Sequence, residues 1–445
     1  MTKKLLFILC ALFISTQTAQ AQTWNIGYPN AEDVTATLNT TDSTLTISGT
    51  GNMQNFRQGT TGLNTPVPWF SLRGNIKTVI IEQGITNIGN QAFEGCANLT
   101  SVIISYGVTN IGTSAFADCV RLTEIDIPNS VTTIGSFAFA RCTSLTSIVI
   151  PNSVTIIGID AFRDCTALAS VIIGESVTNI GSWAFAGCTS LTSIMIPSSV
   201  TSIGSSVFNG CTNLTAIDVD TENPAFSSEN GVLFNKNKTG LIRFPQGKQV
   251  TDYSIPNSVT DIWSNAFDGC ANLTNIVIPN SVTNISAQAF RGCTSLTSIV
   301  IPNSVTRIGW GAFDGCRNLS DIYVYWDTPP SIVASVFQNI NIQNVKLHIP
   351  HGTLSAYQNA PVWQDFILVE RAETSVDIVE NDNVKLHTTA NGILIETREE
   401  VQVAVFSISG ALLYQSTVFG SREIALPAGV YVVRVNGESE KVIVR

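Results

Sequence analysis

Six cysteines, Cys96, Cys119, Cys142, Cys165, Cys188 and Cys211, follow one another at a constant step of 23 residues, and Cys270, Cys293 and Cys316 resume it. The sequence between them repeats as well. Cys142 to Asp164 reads CTSLTSIVIPNSVTIIGIDAFRD, and Cys188 to Gly210 reads CTSLTSIMIPSSVTSIGSSVFNG. A fixed period of this size predicts a solenoid, because a unit so short buries its apolar face only by stacking on its neighbours. The one break in the step, from Cys211 to Cys270, is 59 residues long.

In one unit the apolar positions are Leu122, Ile125, Ile127, Val131, Ile134, Ala138, Phe139 and Cys142. The first three alternate toward their end and predict a short strand. Pro128 lacks the donor to extend a ladder and ends it. Asn129 and Ser130 make a turn. Val131 and Ile134 form a second short apolar element, and Gly135 releases the backbone for a bend. The spacing from Ala138-Phe139 to Cys142 predicts one helical turn. Full burial contributes roughly 1.5–3 kcal/mol per apolar group, enough to offset much of the ordering entropy of one unit.

Composition limits what such an array does. Of 445 residues, 44% are hydrophobic and 13% charged, which predicts ordered, core-rich protein. Residues 1–21 read as a leader: Lys3 and Lys4, the apolar run Leu5 to Ile14, and a cleavage site ending at Ala21. Without Lys3 and Lys4 the chain has 21 basic against 33 acidic residues, a net charge of about −12. That excludes the basic footprint of a nucleic-acid binder and a polybasic membrane patch. Cys10 belongs to the leader, and the nine remaining cysteines share one phase of the repeat. An odd, periodic set predicts a ladder of buried free thiols rather than disulfides or a zinc site.

Residues 22–75 precede the regular units and read as an N-terminal cap; the strand Thr44 to Ser48 and the turn Gly49-Thr50-Gly51 lie there, followed by Pro66, Pro68 and Trp69. The array spans 76–371. Within the long break, Gly231–Phe234 and Leu241–Phe244 flank NKNKTG and predict a β-hairpin, part of an insertion at 220–250. A last strand at 345–350, followed by Tyr357, Pro361 and Trp363, reads as a C-terminal cap over 345–371. Residues 372–378 form a linker. In 379–445 alternating runs such as Gly392–Glu396 and Val401–Phe406 predict about seven short strands in a small β-sandwich.

The recurring pattern LTSIxIPxSVTxIGxxAFxxC resembles the BspA-like leucine-rich repeats, also called the Treponema pallidum type, over about residues 76–350. The resemblance implies a leucine-rich-repeat solenoid, a parallel strand ladder with short helical turns. The stretches VFSISGALLYQS (405–416), LPAGVYVVRV (426–435) and KVIVR (441–445) resemble type IX secretion sorting domains, with an Ig-like sandwich fold. That second resemblance implies export through the type IX machinery to the surface of a Gram-negative bacterium and removal of the domain there.

Chemistry-bearing residues are sparse. His348 and His351 stand at H-x-x-H spacing without an adjacent acid, and His387 lies in the sorting-like region. With no histidine among the regular units, a Ser-His-Asp arrangement has no base there. In NKNKTG, Lys236 and Lys238 interrupt the calcium-loop outline. The expectation is a non-enzyme with no metal and no cofactor.

The informative positions lie between the two inward residues of each strand, where one side chain points out to the ladder surface. In order they are Ile80, Ile103, Asp126, Val149, Ile172, Met195, Asp218, Ser254, Val277, Val300, Tyr323 and His348. Ile103, Val149, Ile172, Met195, Val277, Val300 and Tyr323 are the candidate ligand-binding residues, because an aliphatic stripe on neighbouring strands marks a protein-binding surface. So few charges predict little electrostatic steering of a partner. The resembled family includes adhesins for host matrix proteins, which implies a surface adhesin engaging an extracellular host or neighbouring-cell protein. The alternative is a glycan-binding surface protein using Trp183, Trp263 and Trp310.

Overall fold

The computed structural model describes residues 21–57, 66–371, 384–389, 392–408, 411–427, 429–436 and 438–444. The expected leader up to residue 20 and the linker at 372–378 lie outside them. Most coils contribute two strands to two parallel ladders, with partners one period apart. In the first ladder Ser147 pairs with Ser170, Ile148 with Val171 and Val149 with Ile172. In the second, Ile111 pairs with Ile134, Ile134 with Ile157, Ile157 with Ile180 and Ile180 with Ile203. The period puts chemically identical residues in register, so each row satisfies itself. Thr109, Thr132, Thr155 and Thr178 each donate a hydroxyl to the threonine carbonyl one coil earlier.

The core is a column of repeated side chains. The rings of Phe116, Phe139, Phe162 and Phe185 stack in sequence, with centroids 5.3–5.4 Å apart. Trp69 closes the column at one end, stacked on Phe93 and donating its Nε1–H to Ala92 O at 3.0 Å. At the other end Trp363 packs edge-on against Phe337 and donates to Pro330 O. The nine thiols are free and buried. Eight of them, all but Cys96, donate to the phenylalanine carbonyl 26 residues earlier, as Cys142 does to Phe116 O at 3.2 Å. Burial disfavours the thiolate, so Cys96 and Cys165 are pushed up to about 12.

Three local expectations change. The segment after Gly135 is not helical. Its N–H groups do reach carbonyls three residues back, from Ala138 to Gly135 and from Cys142 to Phe139. However, Phe137 and Arg141 take left-handed φ values of 57° and 60°, turning alternate N–H groups onto the next coil, as Phe139 N to Ala161 O at 2.8 Å. Apolar i, i+3 spacing suits this double turn as well as it suits a helix. Glycine after the second strand also answers to crowding rather than to a bend: a Cβ on Gly158 would lie 2.5 Å from the backbone of Gly135 and Ser136 in the coil before. Third, Glu124 to Ile127 carries no strand, so the first ladder is interrupted between Ile104 and Ser147, although Ile125 and Ile127 are still buried; it breaks again between Ser170–Ile172 and Ser193–Ile196.

The long break holds three antiparallel strands, Phe226–Glu229, Val232–Asn235 and Gly240–Arg243, the last two being the hairpin that NKNKTG predicts. Buried Asn223 fastens them, donating to Pro197 O and Val200 O and accepting from Ala225 N and Phe226 N. Here the array forms a seam between two cores.

The C-terminal residues form one antiparallel sheet of Val384–Thr389, Gly392–Ser407, Leu412–Ala425, Gly429–Val435 and Glu438–Val444. The described strands number five rather than about seven, since Gly392–Glu396 and Val401–Phe406 belong to one strand with a register shift between Thr397 and Val401. Its early part pairs with Val384–Thr389 and its later part with Gly429–Val435. The sheet gathers Leu386, Ile393, Val403, Val405, Ile424 and Val433 into its own core, an arrangement compatible with an Ig-like sandwich.

Candidate functional site

Strand alternation separates core from surface one residue at a time. Ile148 and Ile194 point inward and are buried, while Val149 and Met195 beside them point out. Ile103, Val149, Ile172 and Met195 are 53–58% exposed. Val149 and Ile172 are direct ladder partners, and Met195 occupies the same position one coil on. Asp126 interrupts this row and Asp218, partner of Met195, ends it. Where the ladder is interrupted, an open groove of about 670 Å³ runs past Glu124, Asp126, Val149, Ile172 and Glu175.

The later members of the row stand differently. Val277, Val300 and Tyr323 are half-buried and share a small gap of about 30 Å³ with Ile408, Val430 and Tyr431 of the C-terminal sheet. The structure thus brings the candidates together in two groups, one open and one beside the chain's own sheet. Tyr323 also stacks on His348, with centroids 4.2 Å apart, and His348 Nε2 contacts Asp321 Oδ1 at 2.8 Å. Burial opposes ionisation of Asp321, but hydrogen bonds from His348 and Ser320 outweigh it and hold the carboxyl below its usual range.

The tryptophans do not meet. Trp183, Trp263 and Trp310 are exposed on separate coils, Trp183 beneath the Arg163 guanidinium. Trp263 lines a cavity of about 350 Å³ at the seam, together with Asn209, Arg243 and Asn265. Sequence reasoning missed this cavity; its signal is the skipped beat at Phe234, where the period calls for a cysteine. Arg243 is buried there and donates to Asn265 O, Phe208 O and Asp268 O. Among the described residues no group of three His, Cys, Asp or Glu side chains is placed to hold a metal ion. Nor is any described helix long and apolar enough to cross a membrane.

Residues 68–155, 132–247 and 242–360 match the BspA type leucine-rich repeat region, which is described with six copies. The chain belongs to the BspA-type leucine-rich repeat family. Solenoids built from this repeat typically serve as binding scaffolds. Two solved structures are 29% identical to this BspA-type chain over 75% of its length. One is a leucine-rich repeat protein from Eubacterium ventriosum, matched over 80% of its own chain with a TM-score of 0.53. The other is a leucine rich cell surface protein from Faecalibacterium prausnitzii, matched over 95% of its chain with a TM-score of 0.55. The pneumococcal vaccine antigen PcpA, 19% identical over 76% of this chain and 97% of its own, shares the fold with a TM-score of 0.52. No curated protein matches the sequence.

Proposed function

We propose that this BspA-type chain is an exported cell-surface protein that binds another protein through the ladder face of its first solenoid half, as an adhesin for host or neighbouring cells. The observation that carries this reading is the row Ile103, Val149, Ile172 and Met195, more than half exposed on strands of the solenoid. A face already formed by the fold lowers the ordering cost of binding, so a modest apolar patch yields useful affinity. The leader ending at Ala21 and the surface location of the Faecalibacterium relative support export. The C-terminal sheet, in this reading, engages the type IX machinery and leaves the protein associated with the outer membrane of a Gram-negative bacterium, with or without removal of that domain.

The test is binding of the mature protein to immobilised matrix proteins and to whole cells, beside an Ile172→Arg, Met195→Arg variant. Binding by the parent and its loss in the variant are expected. Equal binding by both would remove this face from the function. Mass spectrometry of the mature termini checks processing, where retention of Met1 contradicts the leader and retention of Arg445 contradicts removal of the sheet.

A glycan-binding reading has one observation in its favour, the seam cavity in which Trp263 stands beside Asn209 and Asn265. Sugars stack on aromatic faces and bind amide groups. A glycan array probed with the parent and with Trp263→Ala tests it; an array without hits removes it.

A further inference from the structure

In the first solenoid half the arginine–aspartate ion pairs stand apart from the strands. Arg141 bonds Asp118 through two 2.6 Å contacts, and Arg163 reaches Asp160 and Asp164 at 3.3 and 3.4 Å. These pairs lie on the turns between coils, away from the strands. On the ladder face stand Glu124, Asp126, Glu175 and Asp218. None of the four has an ion-pair partner among the described residues, and no Lys or Arg lines the groove. Low charge content suggested little steering; these carboxylates reverse that expectation for this face. The carboxylates frame the exposed aliphatic row, with Asp126 between Ile103 and Val149 and Glu175 just beyond Ile172.

We propose that the groove along Val149 and Ile172 takes a protein segment that presents lysine or arginine around aliphatic side chains. This rests on the protein-binding reading above and names the chemistry of the partner. The aliphatic row supplies the apolar contact, and the carboxylates select a cationic flank and raise the encounter rate. The same field repels anionic surfaces, so sulfated glycans and anionic lipid headgroups are poor occupants. Where the row continues past the seam, Ile408 and Val430 line the same small gap as Val277 and Val300.

The experiment uses the full mature chain and two fluorescein-labelled octapeptides of alternating sequence, Lys-Val and Glu-Val, followed by fluorescence anisotropy. The Lys-Val peptide is expected to bind at least about tenfold more tightly, and to weaken by about tenfold as ionic strength rises to about 0.5 M. Glu124→Lys with Asp126→Lys is expected to remove about tenfold of that affinity. Both positions are exposed, so the fold tolerates the change. Equal binding of the two peptides, or no binding of either, overturns the cationic partner. In that event loss of cell binding in the Ile172→Arg, Met195→Arg variant still upholds the protein-binding reading, and failure of both sinks both. Stronger binding of heparin than of the Lys-Val peptide also overturns the proposal. So does a calcium-dependent rise in melting temperature that the Glu124→Lys, Asp126→Lys variant lacks, since the carboxylates would then serve a metal ion.

Discussion

The Arg243 guanidinium donates to the Phe208 carbonyl at 3.4 Å, the place where every regular coil sends a thiol. Cys188 fills that role for Phe162 and Cys211 for Phe185, while the residue 26 positions after Phe208 is Phe234. The skipped beat therefore leaves a carbonyl without its sulfur, and the hairpin supplies a cation in its place. Arg243 also reaches Asn265 O and Asp268 O, so one side chain ties the last coil of the first half to the first coil of the second.

Replacing Arg243 with methionine keeps the stem and removes the donors. Hydrogen bonds from a charged group to buried carbonyls are worth about 1.5–3 kcal/mol each before losses, so a net destabilisation of about 2 kcal/mol is expected. Both ladders change sheets at the seam, and stability in a repeat array depends on such nearest-neighbour links. Urea unfolding should accordingly split into two transitions. A single transition with an unchanged midpoint would show that the seam holds without the guanidinium.

The thiols give a pH dependence of known sign. In the fold burial pushes Cys211 up to about 11 and Cys96, Cys165 and Cys270 up to about 12, above the ordinary value of about 8.5 in an unfolded chain. Their contribution is complete below pH 8.5 and is lost as pH rises toward the folded values, because unfolding then releases protons. Urea midpoints should fall from pH 8 to pH 10, with a slope that grows as several thiols ionise together. The native protein should leave all nine unreactive toward a thiol reagent, and denaturant should expose them. Rapid labelling of the native chain would contradict the buried ladder.

Phe162 tests the aromatic column, since its ring lies 5.3 Å from Phe139 and 5.4 Å from Phe185. Truncation to alanine removes two stacked contacts and leaves a cavity that neighbouring coils, fixed by their own ladders, cannot fill. The expected cost is about 3–5 kcal/mol, seen as a lower denaturant midpoint. Phe162→Leu should recover most of it. A cost below about 1 kcal/mol would mean that the coils collapse onto the gap.

The inward residues were legible because each is reinforced at every period: a Cys or Phe recurring in one phase has no other shared place than the core. The turn of Phe137 and Arg141 was not legible, since bulky residues seldom adopt left-handed φ and the apolar spacing mimics a helix. The interrupted ladder at Glu124 to Ile127 was hidden for the converse reason, because the inward pattern there is unchanged. The acidic face escaped notice because it depends on where Arg141 and Arg163 turn, which the repeat does not specify. For the candidate row the sequence supplied the positions, but not that Val277, Val300 and Tyr323 lie beside the C-terminal sheet.

Adjacent residues put the division between scaffold and binding surface to a direct test. Ile194 is 3% exposed and Met195 54%, although they are neighbours on one strand of the same coil. An aspartate at Ile194 would stand unpaired in the core, and the fold should lose about 4 kcal/mol or more. The same aspartate at Met195 faces water next to Asp218, and should change stability by no more than about 0.5 kcal/mol. Binding should respond in the opposite order. Met195→Asp replaces part of the aliphatic row with charge and should weaken the parent's binding to cells while leaving its urea midpoint in place. If Met195→Asp unfolded the protein, or if it bound as the parent does, then the outward row would be either structural or idle, and the ladder face would lose its claim as the binding surface.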